Sequence, residues 1–335
     1  MENLRIPKNY SSALDLHETQ VAIKVVKDFF QNLLAERLNL LRVSAPLFVD
    51  PTTGLNDNLN GVERPVSFDI KETGKNGEVV QSLAKWKRYA LKKYGFSIGE
   101  GLYTDMSAIR RDEVTDNIHS IYVDQWDWEK AMRYEDRNLE FLKDTVRSVY
   151  RVLQKTEKYM FIRYDYIEEI LPEDIFFITT SDLERMYPQF NTKEREYQIT
   201  RAKGAVCLMQ IGDKLADGKP HDGRAPDYDD WQLNADILVY YPVLDIALEL
   251  SSMGIRVDAK SLAEQLKKAG CEERAELPFQ KAILNNELPY SIGGGIGQSR
   301  LCMFFLRKAH IGEVQCSLWP DDVVKTCEEN GVHLL

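Results

Sequence analysis

The stretch SIGGGIGQSR, Ser291–Arg300, decides the fold. Its glycines at every second position are Gly293, Gly295 and Gly297. This period of two predicts a β-strand, and because glycine has no side chain, one face of the strand would be bare backbone against which a flat ligand can lie. The apolar run Leu301–Leu306 predicts a helix, so Arg300 stands where strand gives way to helix and can reach over the bare face. The spacing fits neither a dinucleotide fingerprint nor a P-loop, which leaves a tight glycine turn as the simple alternative.

The bulk composition is that of a soluble globular protein. The 335 residues allow one large domain or two small ones, and 44% hydrophobic and 29% charged residues are ordinary values. The 43 Lys and Arg against 53 Asp and Glu give a net charge of −10. An acidic chain is a poor match for a phosphate backbone, so we expect no nucleic-acid partner.

The chain carries no signal for a membrane or for secretion. No apolar run reaches membrane-spanning length, and the N-terminus lacks the apolar segment of a signal peptide. The five cysteines form no C-x-x-C pair, and the five histidines are scattered. We therefore expect a cytoplasmic protein with reduced thiols, no zinc site and no membrane partner.

The N-terminal part predicts a helix, an edge strand and a hairpin. Apolar spacing in Asp15–Leu38 is that of an amphipathic helix, and Asn39–Val49 follows as a strand-like run in which Pro46 implies an edge. A hairpin with arms Pro65–Lys71 and Val79–Leu83 precedes a basic helix, Ala84–Tyr94, ended by Gly95. The basic helix is either solvated or turns one lysine inward to an anion.

A loop and a long hairpin carry the first candidate site residues. Asp57 lies in the Gly- and Asn-rich loop Gly54–Gly61, where most Asp residues only cap a turn. Phe96–Trp128 predicts two strands joined by a loop, with Arg110 and Arg111 at the tip. Alternation on the return arm puts Gln125, Asp127 and Glu129 on one face, which is either exposed or meets polar partners.

The second half alternates helices, strands and loops. Its predicted elements are a helix over Glu135–Met160, a strand over Ile175–Thr179, a helix capped by Ser181, a helix over Lys193–Lys203, a strand over Ala205–Ile211, a loop over Lys219–Trp231, strands over Asp236–Tyr241 and Ala247–Val257, and helices over Ala259–Ala269 and Pro278–Asn286.

Two carboxylates on these late strands suggest a metal site. Asp236 and Glu249 lie at neighbouring positions of paired strands, and oxygen donors without His or Cys suit Mg²⁺. Arg256 follows on the same strand and can pair with a carboxylate or a phosphate. For each residue the alternative is an ordinary salt bridge.

Three motifs in order resemble those of the class II aminoacyl-tRNA synthetase fold: the first helix with its proline-containing strand, the hairpin at Phe96–Trp128 and the glycine strand. The resemblance implies an α+β fold, a largely antiparallel β-sheet flanked by helices, and a homodimer. It also implies that ATP is held by Arg110, with Arg111 as the near alternative, and by Ser252, Gly293, Gly295, Gly297 and Arg300. Ser299 departs from the family pattern, which usually has an acidic residue before the arginine.

Longer strings resemble the ammonia-dependent asparagine synthetases, the aspartate–ammonia ligase family. These strings are SLAKWKR (Ser82–Arg88), GEGLYTDM (Gly99–Met106), YVDQWDWE (Tyr122–Glu129), RAPDYDDW (Arg224–Trp231) and ELSSMGIRVD (Glu249–Asp258). The resemblance implies that L-aspartate and ammonia are joined with ATP through an aspartyl-adenylate, releasing AMP and pyrophosphate. It also implies one catalytic domain over residues 1–335, without an anticodon-binding or glutaminase domain.

The resemblance implies roles for the polar residues. Mg²⁺ would be held by Asp236 and Glu249, and ammonium would be bound and deprotonated by Asp57, with Asp229 second. Aspartate would be bound by Lys87, Gln125, Asp127, Tyr228 and Arg256, although Arg256 can serve a phosphate instead.

Two other classes remain as alternatives: a tRNA-modifying relative of the synthetases and a non-catalytic regulatory paralogue. The acidic charge and the lack of room for an anticodon domain disfavour the first, and the presence of Arg110 and Arg300 disfavours the second. A glutamine-dependent enzyme would need a nucleophilic cysteine near its N-terminus, whereas the first cysteine here is Cys207.

Overall fold

The chain is organised around one large β-sheet in a computed structural model that describes residues 4–57, 59 and 63–335. Within these residues the sheet has eight strands, numbered here in chain order. From one edge to the other they are β1 (Leu40–Arg42), β5 (Gly101–Ile109), β6 (Tyr122–Ala131), β11 (Ser291–Gly297), β10 (Ile246–Arg256), β9 (Asp229–Tyr241), β8 (Ala205–Met209) and β7 (Phe176–Thr179). The outermost pair at each edge is parallel and the pairs between them are antiparallel. The predicted α+β fold with a largely antiparallel sheet is therefore confirmed.

Helices and a small second sheet surround the large one. The small sheet consists of β2 (Phe48–Val49), β4 (Lys75–Val79) and β3 (Ser67–Ile70). The α-helices are α1 (Leu16–Leu38), α2 (Ala84–Tyr94), α3 (Leu139–Arg163), α4 (Thr180–Met186), α5 (Thr192–Lys203), α6 (Ala259–Ala269), α7 (Pro278–Leu284), α8 (Gln298–Phe305) and α9 (Asp321–Glu329). None of the described helices has the length and apolar character needed to cross a membrane.

Helices α1 and α3 pack on one face of the large sheet and form the main core there. Helix α1 begins at a capping box between Asp15 and Glu18, and its Phe30 ring stacks on Trp126 of β6 at 4.9 Å between ring centroids. Trp126 and Trp128 are fully buried in this core. The predicted alternation on β6 thus sends the tryptophans to one face and leaves Gln125 and Asp127 for the other, where a cleft lies.

Helix α2 lies on the cleft side of the sheet and ends as predicted. Gly95 terminates it in the left-handed region at φ 73°, and the Gly95 N–H closes the last turn on Leu91 and Lys92. Leu91 and Ala90 are fully buried against the sheet, in a second apolar cluster that includes Leu102 of β5.

Some predicted boundaries were wrong in the N-terminal half. The strand-like run Asn39–Val49 contains β1 at the edge of the large sheet and β2 in the small one, with Pro46 between them. The second hairpin arm is Lys75–Val79 rather than Val79–Leu83, because Asn76 and Glu78 pair across the ladder with β3. The loop Gly54–Gly61 is described only at residues 54–57 and 59.

Other boundaries were wrong in the C-terminal half. Thr179, not Ser181, caps α4, because its hydroxyl accepts the Asp182 N–H at 3.1 Å. Strand β9 begins at Asp229, inside the predicted loop. Arg300 lies within the first turn of α8, which begins at Gln298.

We predict that Leu153→Ala lowers the free energy of unfolding by about 2–5 kcal/mol, because Leu153 on α3 is fully buried and its loss leaves a cavity. Ile162→Ala on the same helix is the matched control, since Ile162 is 71% exposed and its loss should change stability by less than about 0.5 kcal/mol. Urea unfolding followed by circular dichroism measures both. Equal losses in the two variants would contradict the packing described here.

Candidate active site

A cleft of about 400 Å³ opens over the middle of the large sheet, a volume within the usual range for small-molecule sites. It brings together most of the predicted site residues from separate parts of the chain. Those that line it are Asp57, Lys87, Arg110, Gln125, Asp127, Tyr228, Asp229, Glu249, Ser252, Arg256, Gly295, Gly297 and Arg300. Asp236 and Gly293 do not line it.

The glycines of β11 allow close contact on both faces of this strand. A Cβ at Gly294 would lie 2.7 Å from the Cβ of Met253, on the core side. On the cleft side, a Cβ at Gly295 would lie 2.6 Å from Oε1 of Gln125, and one at Gly297 would meet only the Cβ of Arg300, at 3.2 Å. The face predicted to be bare is therefore open at Gly297, whereas the Gln125 side chain approaches Gly295, which still lines the cleft.

The structure corrects the assignment of Gly293 to the ligand-binding face. A Cβ at this position would overlap the Glu129 carboxylate and lie 2.6 Å from Nη2 of Arg256. Side chains of the two neighbouring strands thus cover Gly293, and its role is to let them meet across β11.

Arg256 is the centre of a buried charged cluster. Its Nη2 lies 2.7 Å from Oε2 of Glu129, its Nε donates to both oxygens of the same carboxylate, and its Nη1 donates to Asp229. Burial by itself would lower the pKa of Arg256, but the carboxylates of Glu129 and Asp229 outweigh it and raise that pKa. The Tyr228 ring lies 5.8 Å from the guanidinium, so this side of the cleft is strongly polar and rigidly held.

Lys87 is one of two lysines of the basic helix that point inward, whereas the inward alternative from the sequence had a single one. It is 1% exposed, and its Nζ donates to Oδ1 of Asp127 at 2.5 Å and to the Gly294 carbonyl at 2.9 Å. Burial lowers the pKa of Lys87, and Asp127 opposes this shift. The second oxygen of Asp127, Oδ2, accepts no hydrogen bond from the described residues.

Asp57 is buried at the edge of the cleft and is only half partnered. It is 1% exposed, and its Oδ1 accepts the Leu59 N–H at 3.0 Å. Its Oδ2 has no hydrogen-bond partner in the part of the chain that is described. Burial raises the pKa of Asp57, Lys85 opposes that effect, and Asp227 adds to it. A carboxylate made more basic in this way is suited to accept a proton.

Arg110 and Arg300 place positive charge on the cleft. Arg110 follows β5, and its buried Nε lacks a partner among residues 4–57, 59 and 63–335. Arg111 is exposed and does not line the cleft, so the geometry favours Arg110 between the two predicted alternatives. Arg300 is held by the Glu249 carbonyl, which its Nη1 meets at 3.0 Å.

Asp236 and Glu249 lie near each other, as predicted, but Asp236 already has a cationic partner. Nη2 of Arg224 lies 2.7 Å from Oδ1 of Asp236. Burial raises the pKa of Asp236 to about 6, Arg224 opposes the shift, and Glu249 adds to it. No three His, Cys, Asp or Glu side chains come together as a metal cluster among the described residues.

Sequence reasoning missed the roles of Arg224 and Glu129. Arg224 begins the string RAPDYDDW, but it stands in a loop rich in Asp, Gly and Pro whose composition indicates no role for an arginine. It lines the cleft and donates to Ser252 as well as to Asp236. Glu129 was placed on the correct face of β6, yet nothing in its local sequence shows that Arg256, 127 positions away, is its partner.

A family profile and two similar known proteins carry the same description. A family profile described as aspartate-ammonia ligase matches residues 17–331. The chain is 63% identical over 336 residues to the aspartate--ammonia ligase of Clostridium perfringens strain SM101, covering 100% of both chains. It is 56% identical over 325 residues to the aspartate--ammonia ligase of Bacillus cereus strain B4264, covering 97% of this chain and 99% of the other.

Solved structures share the fold at low sequence identity. Asparaginyl-tRNA synthetase from Pyrococcus horikoshii, complexed with asparaginyl-adenylate, aligns with a TM-score of 0.65 at 15% identity over 90% of this chain and 70% of that one. Aspartyl-tRNA synthetase from Entamoeba histolytica aligns with a TM-score of 0.60 at 16% identity over 89% of this chain and 58% of that one. The fold is therefore that of the class II synthetase catalytic domains, as the sequence motifs predicted.

We predict that Gly293→Ala lowers the free energy of unfolding by about 1–3 kcal/mol, because its Cβ overlaps the buried Glu129 carboxylate. Gly297→Ala is the matched control on the same strand, since its Cβ meets only Arg300 at 3.2 Å and the backbone φ of −64° suits alanine. Chemical unfolding measures both. The geometry of the Arg256 cluster would be wrong if Gly293→Ala were as stable as Gly297→Ala.

Proposed function

The chain belongs to the aspartate–ammonia ligase family, and from this membership we infer that it is an ATP-dependent ligase that makes L-asparagine from L-aspartate and ammonia. The reaction proceeds through an aspartyl-adenylate and releases AMP and pyrophosphate. The observation that supports this function in the chain's own residues is one cleft that joins a glycine-rich strand, two arginines and a buried carboxylate with an unpartnered oxygen.

The first step activates the substrate, because a carboxylate is a poor electrophile. An oxygen of the aspartate side chain forms a bond to the α-phosphorus of ATP, and the bond from that phosphorus to pyrophosphate breaks. We assign the stabilisation of the charge on the α-phosphate to Arg110, whose Nε has no competing partner among the described residues. Adenine is assigned to Gly295 and Gly297 beneath Arg300, and Ser252 lines the same cleft.

Aspartate is assigned to the polar end of the cleft. Of the three N–H donors of Lys87, two are used by Asp127 and Gly294, which leaves one for a substrate carboxylate. Arg256 uses three of its five N–H groups on Glu129 and Asp229, and we assign the others to the second substrate carboxylate rather than to phosphate.

The remaining polar side chains at this end can all accept hydrogen bonds. The substrate's amino group, a donor, is assigned to the acceptors Asp127 and Gln125 beside Tyr228. Held in this way, the adenylate lies next to the incoming nitrogen, which gives a large proximity advantage.

The second step transfers ammonia to the activated carbonyl. Ammonia is present mostly as ammonium, which cannot attack until it loses a proton. Asp57 accepts that proton, and the raised pKa of this buried carboxyl favours the transfer. The nitrogen then bonds to the carbonyl carbon, the bond to AMP breaks, and the nitrogen releases a further proton to give the amide. Asp229 is bound to Arg256, which makes it the weaker candidate for the base.

Asp236 and Glu249 fit Mg²⁺ in their chemistry. Both offer only oxygen. Burial raises the pKa of Asp236 to about 6, Arg224 opposes this shift, and Glu249 adds a repulsion that a divalent cation would relieve. When bound, Mg²⁺ supplies positive charge to the phosphates. Further oxygen ligands would come from ATP and water, since the described residues contribute no third acidic, His or Cys ligand here.

We propose a cytoplasmic homodimer with a single catalytic domain and with L-aspartate, ammonia and ATP as its partners. The five cysteines in the described structure are free thiols, which suits a reducing compartment. The net charge of −10 supports the absence of a nucleic-acid partner.

We predict that Asp57→Asn and Arg110→Ala separate the two steps. Asp57→Asn should lower asparagine formation by about 100-fold or more while aspartate-dependent exchange of labelled pyrophosphate into ATP persists, because only the proton acceptor is lost. Arg110→Ala should lower both rates by about 100-fold or more, because adenylation itself needs the arginine. Arg111→Ala, an exposed neighbour, is the control and should retain both activities. Normal asparagine synthesis by Asp57→Asn would exclude its role as the base.

We also predict that Asp236→Asn and Glu249→Gln each raise the Mg²⁺ concentration required for pyrophosphate exchange by about tenfold or more, because each removes one charged oxygen ligand. Asp245→Asn is the matched control, since it makes the same change in charge at the exposed turn between β9 and β10. Removing Mg²⁺ with EDTA should abolish exchange in every variant. An unchanged Mg²⁺ requirement in both site variants would place the metal elsewhere.

A further inference from the structure

A second group of buried polar side chains lies next to Asp57 and has no part in the mechanism given above. Lys85 on α2, Asp227 before β9 and Gln280 on α7 are each no more than 1% exposed. Nζ of Lys85 and Nε2 of Gln280 both donate to one oxygen of Asp227, Oδ2, at 2.9 and 2.8 Å. Nη1 of Arg274 lies 4.0 Å from the same oxygen.

Three acceptor atoms in and next to this group have no hydrogen-bond donor. Oδ1 of Asp227, Oε1 of Gln280 and Oδ2 of Asp57 are buried, and none accepts a hydrogen bond from the described residues. Buried polar atoms in folded proteins are nearly always satisfied, so three unsatisfied oxygens in one region require an explanation. All three are acceptors, so a ligand that binds to them has to donate hydrogen bonds.

The three residues Asp57, Asp227 and Gln280 belong to one neighbourhood. Gln280 Oε1 packs against the loop that carries Asp57, because a Cβ at Gly54 would lie 2.8 Å from it. Lys85 and Asp227 are the charged groups with the largest effects on the pKa of Asp57, in opposite directions. Burial would raise the pKa of Asp227, but Lys85, Arg274 and Gln280 bring it below its ordinary value, so Asp227 stays ionised.

We propose that Asp227 and Gln280 form an inner ammonium subsite behind Asp57, from which ammonium passes to Asp57 and then to the adenylate. Ammonium is small, offers four N–H donors and no acceptor, and carries the positive charge that ionised Asp227 favours. A water molecule has only two donors and no charge, so it matches three acceptors less well. The subsite rests on the proposed function, because ammonia is its ligand only if the enzyme consumes ammonia.

The test compares substrate dependences in Gln280→Met, which removes the unpartnered acceptor Oε1 together with the Nε2 donor to Asp227 and keeps the side chain's length. The KM for ammonium in asparagine formation should rise by about tenfold or more, while the KM for aspartate and for ATP and the rate of pyrophosphate exchange stay within about twofold. Gln154→Met is the matched control, because Gln154 on α3 donates to Pro172 and Glu173 far from the cleft along the chain. An ammonium KM that rises no more than the aspartate KM would overturn the subsite.

A second variant guards against misfolding. Lys85→Met combined with Asp227→Leu replaces the buried ion pair by apolar residues of similar size, a change that proteins often tolerate. It should show the same selective rise in the ammonium KM. Lack of pyrophosphate exchange in the unaltered enzyme would instead refute the proposed function, so the two failures are distinguishable.

A binding measurement identifies the ion without catalysis. In the absence of aspartate and ATP, ammonium chloride should raise the thermal midpoint of the unaltered protein above that in tetramethylammonium chloride at the same ionic strength, and Gln280→Met should remove the difference. Equal stabilisation by potassium chloride that is lost in the same variant would show a general monovalent cation site and overturn the assignment to ammonium.

Discussion

The structure depends on the glycines of β11, which leave parts of this strand without side chains. This strand lies between β6 and β10 at the centre of the sheet, and neighbouring side chains press on it from both faces. At Gly293 the missing Cβ lets Glu129 of β6 reach Arg256 of β10 across the strand. At Gly297 it leaves open backbone, and at Gly295 it makes room for the Gln125 side chain in the wall of the cleft. One sequence feature thus joins the two halves of the polar face and forms the floor of the cleft.

The polar face contains more buried charge than stability alone would favour. Lys87 with Asp127, Lys85 with Asp227, and Arg256 with Glu129 and Asp229 are all nearly inaccessible. Removing such ions from water costs about as much as their attraction returns, so these pairs are weak arguments for stability. Their consequence is chemical, because the ion pairs hold these polar side chains at fixed places beside the cleft. The apolar core against α1 and α3 therefore stabilises the fold, and the buried charges serve the function of the cleft.

The sequence could predict those features that repeat along the chain. The period of two in β11 and β6 and the helical spacing in α1 were sufficient to predict these three elements. The resemblance to known motifs was sufficient to predict most of the residues named here that line the cleft. Predictions failed where partners come from distant positions. Gly293 was assigned to a ligand because its cover, Glu129, belongs to another strand, and Asp229 was placed in a loop because only pairing with Arg256 across the sheet shows that β9 begins there. Arg224 went unassigned for the same reason.

Arg110 and Asp57 link nucleotide binding to the later proton transfer in the proposed reaction. Asp57 is a better base the less positive its surroundings are, and Arg110 is one of the charges that oppose the rise of its pKa. An ATP phosphate bound to Arg110 would neutralise that charge, so the pKa of Asp57 would rise further once nucleotide is in place. The carboxylate would then be most basic when an adenylate can form beside it. Asp57 is buried, so little solvent reaches its carboxylate to screen this interaction.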